Sequence, residues 1–427
     1  MRTYHDPLHG AITLAGDDPV EALLTELIDT PAFQRLRRIR QLGPANLTFH
    51  GAETSRFTHS LGVLAVARRA FDRLAGLHPE LQEHRVVALC ASLLHDVGHG
   101  PFSHTAEELF ESHHERWTMA IVEQSMEVRS LLDQFHPDLW HKINQVYTHD
   151  YPVPLVWQLV SSQLDCDRID YLMRDSYFTG ASYGQLDLDR LVLAMDYDLP
   201  SRSLIIEKKG LAAVEHYLVV RSFMYGQIYN HPKNLSTTWI LEQAFNRARE
   251  LLKHDELEAD PTVMAWLSGP VDDLPIDRYL EGDDTVFTYH LQRWQHHPDA
   301  TLSDFCRRFL NRRLLKTLEV TQATAEEREN LLTNVERQLA ADGVEAHRYC
   351  GLRHIWSKGY SDYQEGIQIR TRRGLKDINQ LSPLIQALMR PAQRTWLLYP
   401  AEVITGICAL SDHIFGSAAA SSSQFVD

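Results

Sequence analysis

An imidazole and a carboxylate stand side by side at His95-Asp96, within Leu93-Leu94-His95-Asp96-Val97-Gly98-His99-Gly100-Pro101-Phe102-Ser103-His104. The pair closes an apolar helical stretch from Val86 to Leu94, and two more histidines follow at 99 and 104. Two glycines and a proline break the helix where these side chains must converge. A structural helix end has no need of three histidines. Neutral imidazole and carboxylate together suit a divalent metal of intermediate hardness. Two partners complete the pair: His59, in Arg56-Phe57-Thr58-His59-Ser60-Leu61-Gly62, and Asp167, in Asp165-Cys166-Asp167-Arg168-Ile169-Asp170-Tyr171. A set of His59, His95, Asp96 and Asp167 leaves room on the metal for water or a phosphate oxygen. Such donors accept Fe, Mn, Ni, Zn or Mg, with further Mg arriving on a nucleotide.

Three other constellations carry chemistry. At about 100° per residue, Asp167, Asp170, Tyr171, Arg174 and Asp175 share one helix face, and Ile169, Leu172 and Met173 the other. An ordinary charged face of this kind would be solvated; a metal lacking ligands reverses that reading. Arg221, Tyr225 and Tyr229 follow i, i+4, i+8, so arginine could fork onto phosphate and tyrosine donate or stack; an Arg–Tyr packing stripe would show the same spacing. His99, His104, His113 and His114 lie close to the His-Asp pair, and histidine can protonate a leaving oxygen near neutral pH. Glu107, one helical turn after His104, is placed to hold that imidazole's charge; His113 has no such partner and is set aside. No P-loop, Rossmann fingerprint or Gly-x-Ser-x-Gly elbow is present.

The elements that position these residues read as mainly α. Asp29-Thr30-Pro31 starts a helix, with Phe33, Leu36 and Ile39 spaced for its buried face. Thr105-Ala106-Glu107-Glu108 resembles a capping box after the glycine break. Val153–Asp175 reads as one or two helices, Asp196–Gly210 as a short hairpin, and Leu211–Tyr229 and Thr238–Leu252 as helix. Thr301–Thr317 and Ala325–Ala341 read as helical. Gln364–Thr371 and Thr395–Tyr399 alternate like strands. The expected organisation is an all-helical core with a hairpin over 1–260, a smaller α+β lobe over 261–415, and a low-complexity, disordered tail over 416–427.

The 427 residues carry 42 Lys and Arg against 57 Asp and Glu, a net charge of −15. That balance argues against broad nucleic-acid or anionic-membrane binding, and leaves room for a local basic pocket for a small polyphosphate. The five cysteines, at 90, 166, 306, 350 and 408, form no CxxC pair and fit a reduced, cytoplasmic chain. No apolar run approaches the roughly 20 residues of a membrane span.

Taken together these residues resemble the HD-domain deoxynucleoside triphosphate triphosphohydrolases, the group of the mammalian SAM-and-HD-domain enzyme and its bacterial relatives. The resemblance runs from Asp6-Pro7-Leu8-His9-Gly10 to about Asn234, more faintly beyond, and lacks the SAM domain. It rests on Asp29-Thr30-Pro31-x-Phe33-Gln34-Arg35-Leu36-Arg37, Gln41-Leu42-Gly43, Arg56-Phe57-x-His59-Ser60-Leu61-Gly62, the His95–His104 segment, and Asp167-Arg168-x-Asp170-Tyr171-x-x-Arg174-Asp175. It implies His59, His95, Asp96 and Asp167 as metal ligands and His99, His104, Glu107 and His114 as active-site groups. Glu107 stands in place of an aspartate.

The resemblance further implies Arg56, Arg168, Tyr171 and Arg221 at the phosphates, with arginine for lysine at 168. Gln41, Asp175 and Tyr229 would grip the deoxyribose, Leu42 would also bind substrate, and Tyr225 replaces a histidine. Asp29, Gln34, Arg37 and Lys209 match an activating-nucleotide site for GTP or a dNTP. His5 there stands for an asparagine and Glu207 for an arginine, and a carboxylate repels a triphosphate. The implied activity is release of inorganic triphosphate from dNTPs by a homotetramer or dimer. Other readings are another HD phosphohydrolase (a nucleotidase or phosphodiesterase), or a nucleotide sensor with decayed catalysis.

Overall fold

A computed structural model of the protein describes residues 1–361 and 366–403. The expected tail over 416–427, Cys408 and the end of the expected lobe lie outside the described residues. The chain is mainly α, as expected, and forms two compact units. Of the described residues, one holds 1–224, 258–289, 358–361 and 366–390; the other holds 225–257, 290–357 and 391–403. The units therefore interleave along the chain instead of dividing at residue 260. Late strands pair back into the first unit, and Gly282–Asp284 serve as anchors within it.

The first unit opens with an antiparallel hairpin of β1 (Arg2–Asp6) and β2 (Gly10–Leu14), Asp6 facing Gly10 in register. Gly10 has φ +68°, which a glycine adopts at no steric cost. Next come α1 (Pro19–Asp29) and α2 (Pro31–Gln34), whose N-cap Thr30 accepts from Phe33 N. The chain then tightens to a 3₁₀ turn over Arg35–Arg38. Phe33, Leu36 and Ile39 are all fully buried. Their i, i+3 spacing serves that tighter turn, where residues three apart lie over one another.

Helices α3 (Arg56–Leu77), α4 (Arg85–Leu94), α5 (His104–Phe110), α6 (His114–Gln124), α7 (Met126–Phe135), α8 (Leu139–Tyr147), α9 (Pro154–Val160) and α10 (Cys166–Thr179) follow. From Val87 to Leu94 every residue of α4 is buried, so it is the central helix of this unit. Leu89, Leu93 and Leu94 are wholly enclosed, each stabilising by about 1.5–3 kcal/mol relative to exposure. Helix α3 packs against α4 and α10, which sets the side chains of three helices toward one another.

Two expected caps and faces come out differently. Helix α5 begins at His104 behind Ser103, so Thr105 lies inside the first turn and no side-chain cap forms there. Helix α12 (Leu211–Met224), after α11 (Leu188–Ala194), runs on into a π turn at Tyr225–Tyr229. The wider i→i+5 winding breaks the single face expected of Arg221, Tyr225 and Tyr229.

Strands β3 (Met195–Asp198) and β4 (Ser203–Glu207) form the expected hairpin. Five strands come later: β5 (Lys316–Glu319), β6 (Gly351–Ser357), β7 (Gln368–Thr371), β8 (Gly374–Asp377) and β9 (Ala392–Tyr399). In the first unit β7 lies parallel beside β4, giving the order β3-β4-β7-β8. In the second, β5, β9 and β6 form an antiparallel sheet. Its helices include Pro232–Lys253, packed on Ala300–Leu310, and Ala325–Ala341 with a complete Thr324/Glu327 capping box. The helix expected over Thr301–Thr317 stops at Leu310, and the chain turns to enter β5.

Candidate metal and acid–base site

Helix α3 supplies His59, the end of α4 supplies His95 and Asp96, and the first turn of α10 supplies Asp167. Asp165 caps α10, accepting from Arg168 N at 2.6 Å, and so fixes where that turn begins. His59 Nε2 lies 3.0 Å from Asp167 Oδ1 and 3.6 Å from Asp96 Oδ2. His95 Nε2 lies 3.3 Å from Asp96 Oδ1 and 3.6 Å from Asp167 Oδ1. Two imidazole nitrogens and two carboxylates thus converge on one point.

The electrostatics of that point favour a cation. Burial alone would strip the proton from His59. Hydrogen bonds with Asp167 and Asp170, then the charges of Asp170 and Asp96, outweigh it and push the imidazole up to about 10. Burial would likewise raise the Asp167 carboxyl, yet His59 and His95 hold it well below the usual carboxylate range. His95 Nε2 is buried without a hydrogen-bond partner among the described residues. A pocket that traps a proton between carboxylates, with an unpartnered imidazole nitrogen aimed inward, fits a divalent ion bound by these four groups. Arg56, 4 % exposed, donates to Asp96 Oδ2 at 2.7 Å, Ser103 Oγ at 2.9 Å and Gln41 O at 3.2 Å. It therefore orients Asp96 as well as bringing positive charge to the site.

A second cluster adjoins the first through His99. His99 Nε2 is 3.3 Å from Asp96 Oδ1, while its ring stacks on His114 at 3.8 Å with planes 11° apart. Glu107 bridges two imidazoles. His104 Nδ1 lies 3.0 Å from one oxygen, and the other oxygen binds His114 Nδ1 and the His114 N–H. Burial would raise the Glu107 carboxyl, but the hydrogen bonds of His104 and His114 hold it far below its ordinary value. Burial, then the positive charges of Arg56 and His114, push His99 well below the usual imidazole range, so it is neutral. His99, His104, Glu107 and His114 could by proximity hold an ion. Near-parallel rings, however, cannot both direct in-plane lone pairs at one point. As folded, the cluster is built to hold protons, with Nδ1–H of His104 committed to Glu107 and Nε2 outward on a ring that is two-thirds exposed.

The loop between these clusters is strained and braced from a distance. Phe102 and Ser103 have φ of 63° and 57°, a region that L-residues enter at a cost. Asp284 accepts from Phe102 N at 2.7 Å and Arg40 N at 3.0 Å. Ser103 Oγ donates to Arg40 O at 2.6 Å, and Tyr279 Oη donates to Gly98 O at 2.5 Å. Arg35, 1 % exposed, donates to His99 O at 2.8 Å and twice to Gly282 O. Replacing Arg35 by alanine removes three charged hydrogen bonds and leaves two buried carbonyls unpaired. A loss of about 2–4 kcal/mol is expected, read as a lowered denaturant midpoint with turnover falling further than stability. None of Arg35, Tyr279 and Asp284 was singled out from the sequence; Arg35 stood inside a quoted motif, and the other two carried no local signal.

The remaining expected residues are placed as follows. Gln41 is buried at a short bridge between Arg40 and Ser55, and Leu42 leads into the turn after it. On α10 Arg168 pairs with Asp165, Tyr171 is half-buried and Asp175 is buried. Arg221 donates to Gln163 Oε1 at 3.0 Å. Tyr225 and Tyr229 meet edge to face at 5.1 Å in the second unit. Asp29 pairs with Arg2; Gln34 accepts from Arg37, whose guanidinium covers Phe57 at 3.5 Å; Lys209 is exposed. The four described cysteines are buried and free.

Comparison with known proteins agrees with this geometry. A profile described as HD domain matches residues 56–154, and one described as HD associated region matches residues 186–400. An uncharacterised protein, YwfO of Bacillus subtilis, is 35% identical over 94% of this chain and 93% of its own length. The deoxynucleoside triphosphate triphosphohydrolase SAMHD1 homolog of Dictyostelium discoideum is 28% identical over 62% of this chain and 52% of its own length. SAMHD1 of Bos taurus is 46% identical over 26% of this chain and 18% of its own length. A solved phosphohydrolase from Bacteroides thetaiotaomicron superposes with TM-score 0.81 at 28% identity, covering 93% of this chain and 99% of that one. The chain belongs to the HD-domain phosphohydrolases, a family of metal-dependent hydrolases. Among the described residues no helix is long and apolar enough to cross a membrane.

Proposed function

We propose that the protein hydrolyses deoxynucleoside triphosphates to a deoxynucleoside and inorganic triphosphate. The observation that carries this reading is the join, through His99, between the convergent ligand set and the His104–Glu107–His114 cluster. One group suits a metal on a phosphate; the other suits protonation of a leaving oxygen. His59, His95, Asp96 and Asp167 would hold a divalent metal, which would supply Lewis acidity at the α-phosphate and toward the attacking water. In-line attack by water forms a new P–O bond, releases the water's proton to solvent, and breaks the bond from phosphorus to the 5′-oxygen. His104 gives its Nε2 proton to that oxygen, and ionised Glu107 stabilises the imidazolium, as a carboxylate does for a catalytic histidine. Neutral His99 lies beside the phosphates, and Arg56, Arg168, Tyr171 and Arg221 neutralise and align the polyphosphate. Gln41, Leu42, Asp175, Tyr225 and Tyr229 are proposed for the sugar and base.

The activator site implied by Asp29, Gln34, Arg37 and Lys209 is altered here. Glu207 lies 3.0 Å from Arg370 Nε, so a resident carboxylate already meets a cation beside Lys209. The expected result is deoxynucleoside and tripolyphosphate from a single dNTP with Mg²⁺ or Mn²⁺, and less than about threefold stimulation by GTP, under 1 kcal/mol of coupling. Chromatography of products from each dNTP and NTP, alone and mixed, checks both. Orthophosphate or a monophosphate product would overturn the triphosphohydrolase reading; turnover only in mixtures would restore an activator site, as would assembly to a homotetramer or dimer only when nucleotide is added.

A further inference from the structure

We propose that Asp170 is a positioning residue that makes His59 a metal ligand, and that the N-terminal hairpin is the brace holding Asp170 in place. The inference rests on His59 being a ligand. Asp170 Oδ2 lies 2.8 Å from His59 Nδ1. A carboxylate only accepts, so the hydrogen on Nδ1 is held by Asp170; when an ion displaces the proton that Nε2 shares with Asp167, that nitrogen is left to turn its lone pair to the ion. This is the tautomer that a metal requires.

Asp170 is fixed by more than His59. Arg174 Nε donates to Oδ2 at 2.8 Å and Nη2 to Oδ1 at 3.0 Å, while His9 Nε2 reaches Oδ1 at 2.6 Å. The third guanidinium nitrogen of Arg174 donates to Asp6 Oδ2 at 2.9 Å. Asp6 Oδ1 in turn accepts from Leu8 N at 2.9 Å and His9 N at 3.0 Å, fixing the turn between β1 and β2. A closed circuit results: Asp6, the hairpin turn, His9, Asp170, Arg174 and back to Asp6. Asp170 and Arg174 have no exposure and Asp6 only 7%. Gly62, one turn after His59 on α3, makes room for it, since a Cβ there would overlap the Asp170 carboxylate and the Arg174 guanidinium.

Stability alone does not call for this arrangement. Buried ion pairs are often matched or exceeded in stability by apolar residues of similar volume. A network with both carboxylate oxygens saturated and one of them aimed at Nδ1 of a ligand does have a use, because outer partners set a ligand's tautomer and ring angle.

The test is metal binding by the full-length, metal-stripped protein, titrated with Mn²⁺ and followed by the EPR signal of free ion, with circular dichroism reporting the fold. In Asp170→Asn the amide donates to Nδ1, the hydrogen moves to Nε2, and His59 presents N–H to the ion. Affinity is expected to fall about 10- to 100-fold in a folded protein. His9→Ala, which removes one anchor at the hairpin, is expected to weaken binding several-fold and stands as the deciding variant if Asp170→Asn fails to fold. A purely structural role would lower the melting temperature of the metal-free protein and leave Mn²⁺ affinity of the folded fraction unchanged; that result overturns the proposal. Wild-type protein that binds no divalent ion would overturn the metal reading itself, and this inference with it.

Discussion

Asp167→Ala is expected to abolish turnover while the chain stays folded. Asp167 sits in the first turn of α10 with about a quarter of its side chain exposed, and the helix is capped by Asp165, not by Asp167. Its loss therefore breaks no buried cap and leaves no cavity. Its carboxylate, however, approaches both His59 and His95, and without it the proposed ion keeps two imidazoles and one carboxylate. Loss of a direct ligand should exceed the 10- to 100-fold typical of an outer partner, so a fall of at least ~10³-fold in kcat/KM is expected, on the order of 4 kcal/mol of transition-state stabilisation. The same substitution removes the first of the groups that raise His59. His95→Ala should behave alike in turnover. Assay of the metal-stripped and remetallated variant, beside its circular dichroism spectrum, settles the point: full activity in metal-stripped Asp167→Ala would sink the mechanism.

The convergence of the proposed ligands was legible because each member lies in a short motif at a helix end, where local pattern and position coincide. His95-Asp96 follows an apolar run that folds as the buried helix α4, and His59 opens α3 just after its Ser55 cap. The polar face of α10 was legible as a face but not as a buried one. Asp170 and Arg174 at i, i+4 look like any surface ion pair, and what encloses them comes from residues 6, 9 and 62. Sequence spacing carries no information about such distant partners. The same holds for Asp284, some 180 residues from the loop it braces. The expected stripe Arg221–Tyr225–Tyr229 assumed an unbroken α-helix, and nothing in local composition marked the π turn that interrupts it.

The two histidine–carboxylate systems owe their different chemistry to exposure and stoichiometry. At His59 one wholly buried imidazole faces three carboxylates, so positive charge is retained and a cation is welcome. At Glu107 one carboxylate faces two imidazoles, one of them two-thirds exposed, and their hydrogen bonds keep the carboxylate ionised. Similar residues, counted differently, give the proposed ion site and the proposed proton site their different characters.

That separation depends on Gly98, and Gly98→Ala is expected to slow turnover about 100-fold. In the sequence Gly98 reads as a helix breaker. In the structure it is where the start of α6 touches the loop: Gly98 N donates to Thr118 Oγ1 at 3.1 Å, and Thr118 Oγ1 donates to His95 O at 2.9 Å. A Cβ at position 98 would overlap the Thr118 N and the His114 O. Both are backbone atoms of a packed helix, so no side chain can rotate away; α6 must move. Helix α6 begins with His114, whose ring stacks on His99 and binds Glu107. Overpacking should cost about 1–3 kcal/mol, and a displacement near 1 Å should cost about 10²-fold in turnover beyond that. Metal affinity should change far less, since His95 and Asp96 precede the contact. A folded Gly98→Ala protein that binds Mn²⁺ like wild type but turns over slowly would tie the His114–Glu107 arrangement to the chemical step. Wild-type turnover in that variant would show that the proton cluster tolerates the shift and that its geometry does not limit the reaction.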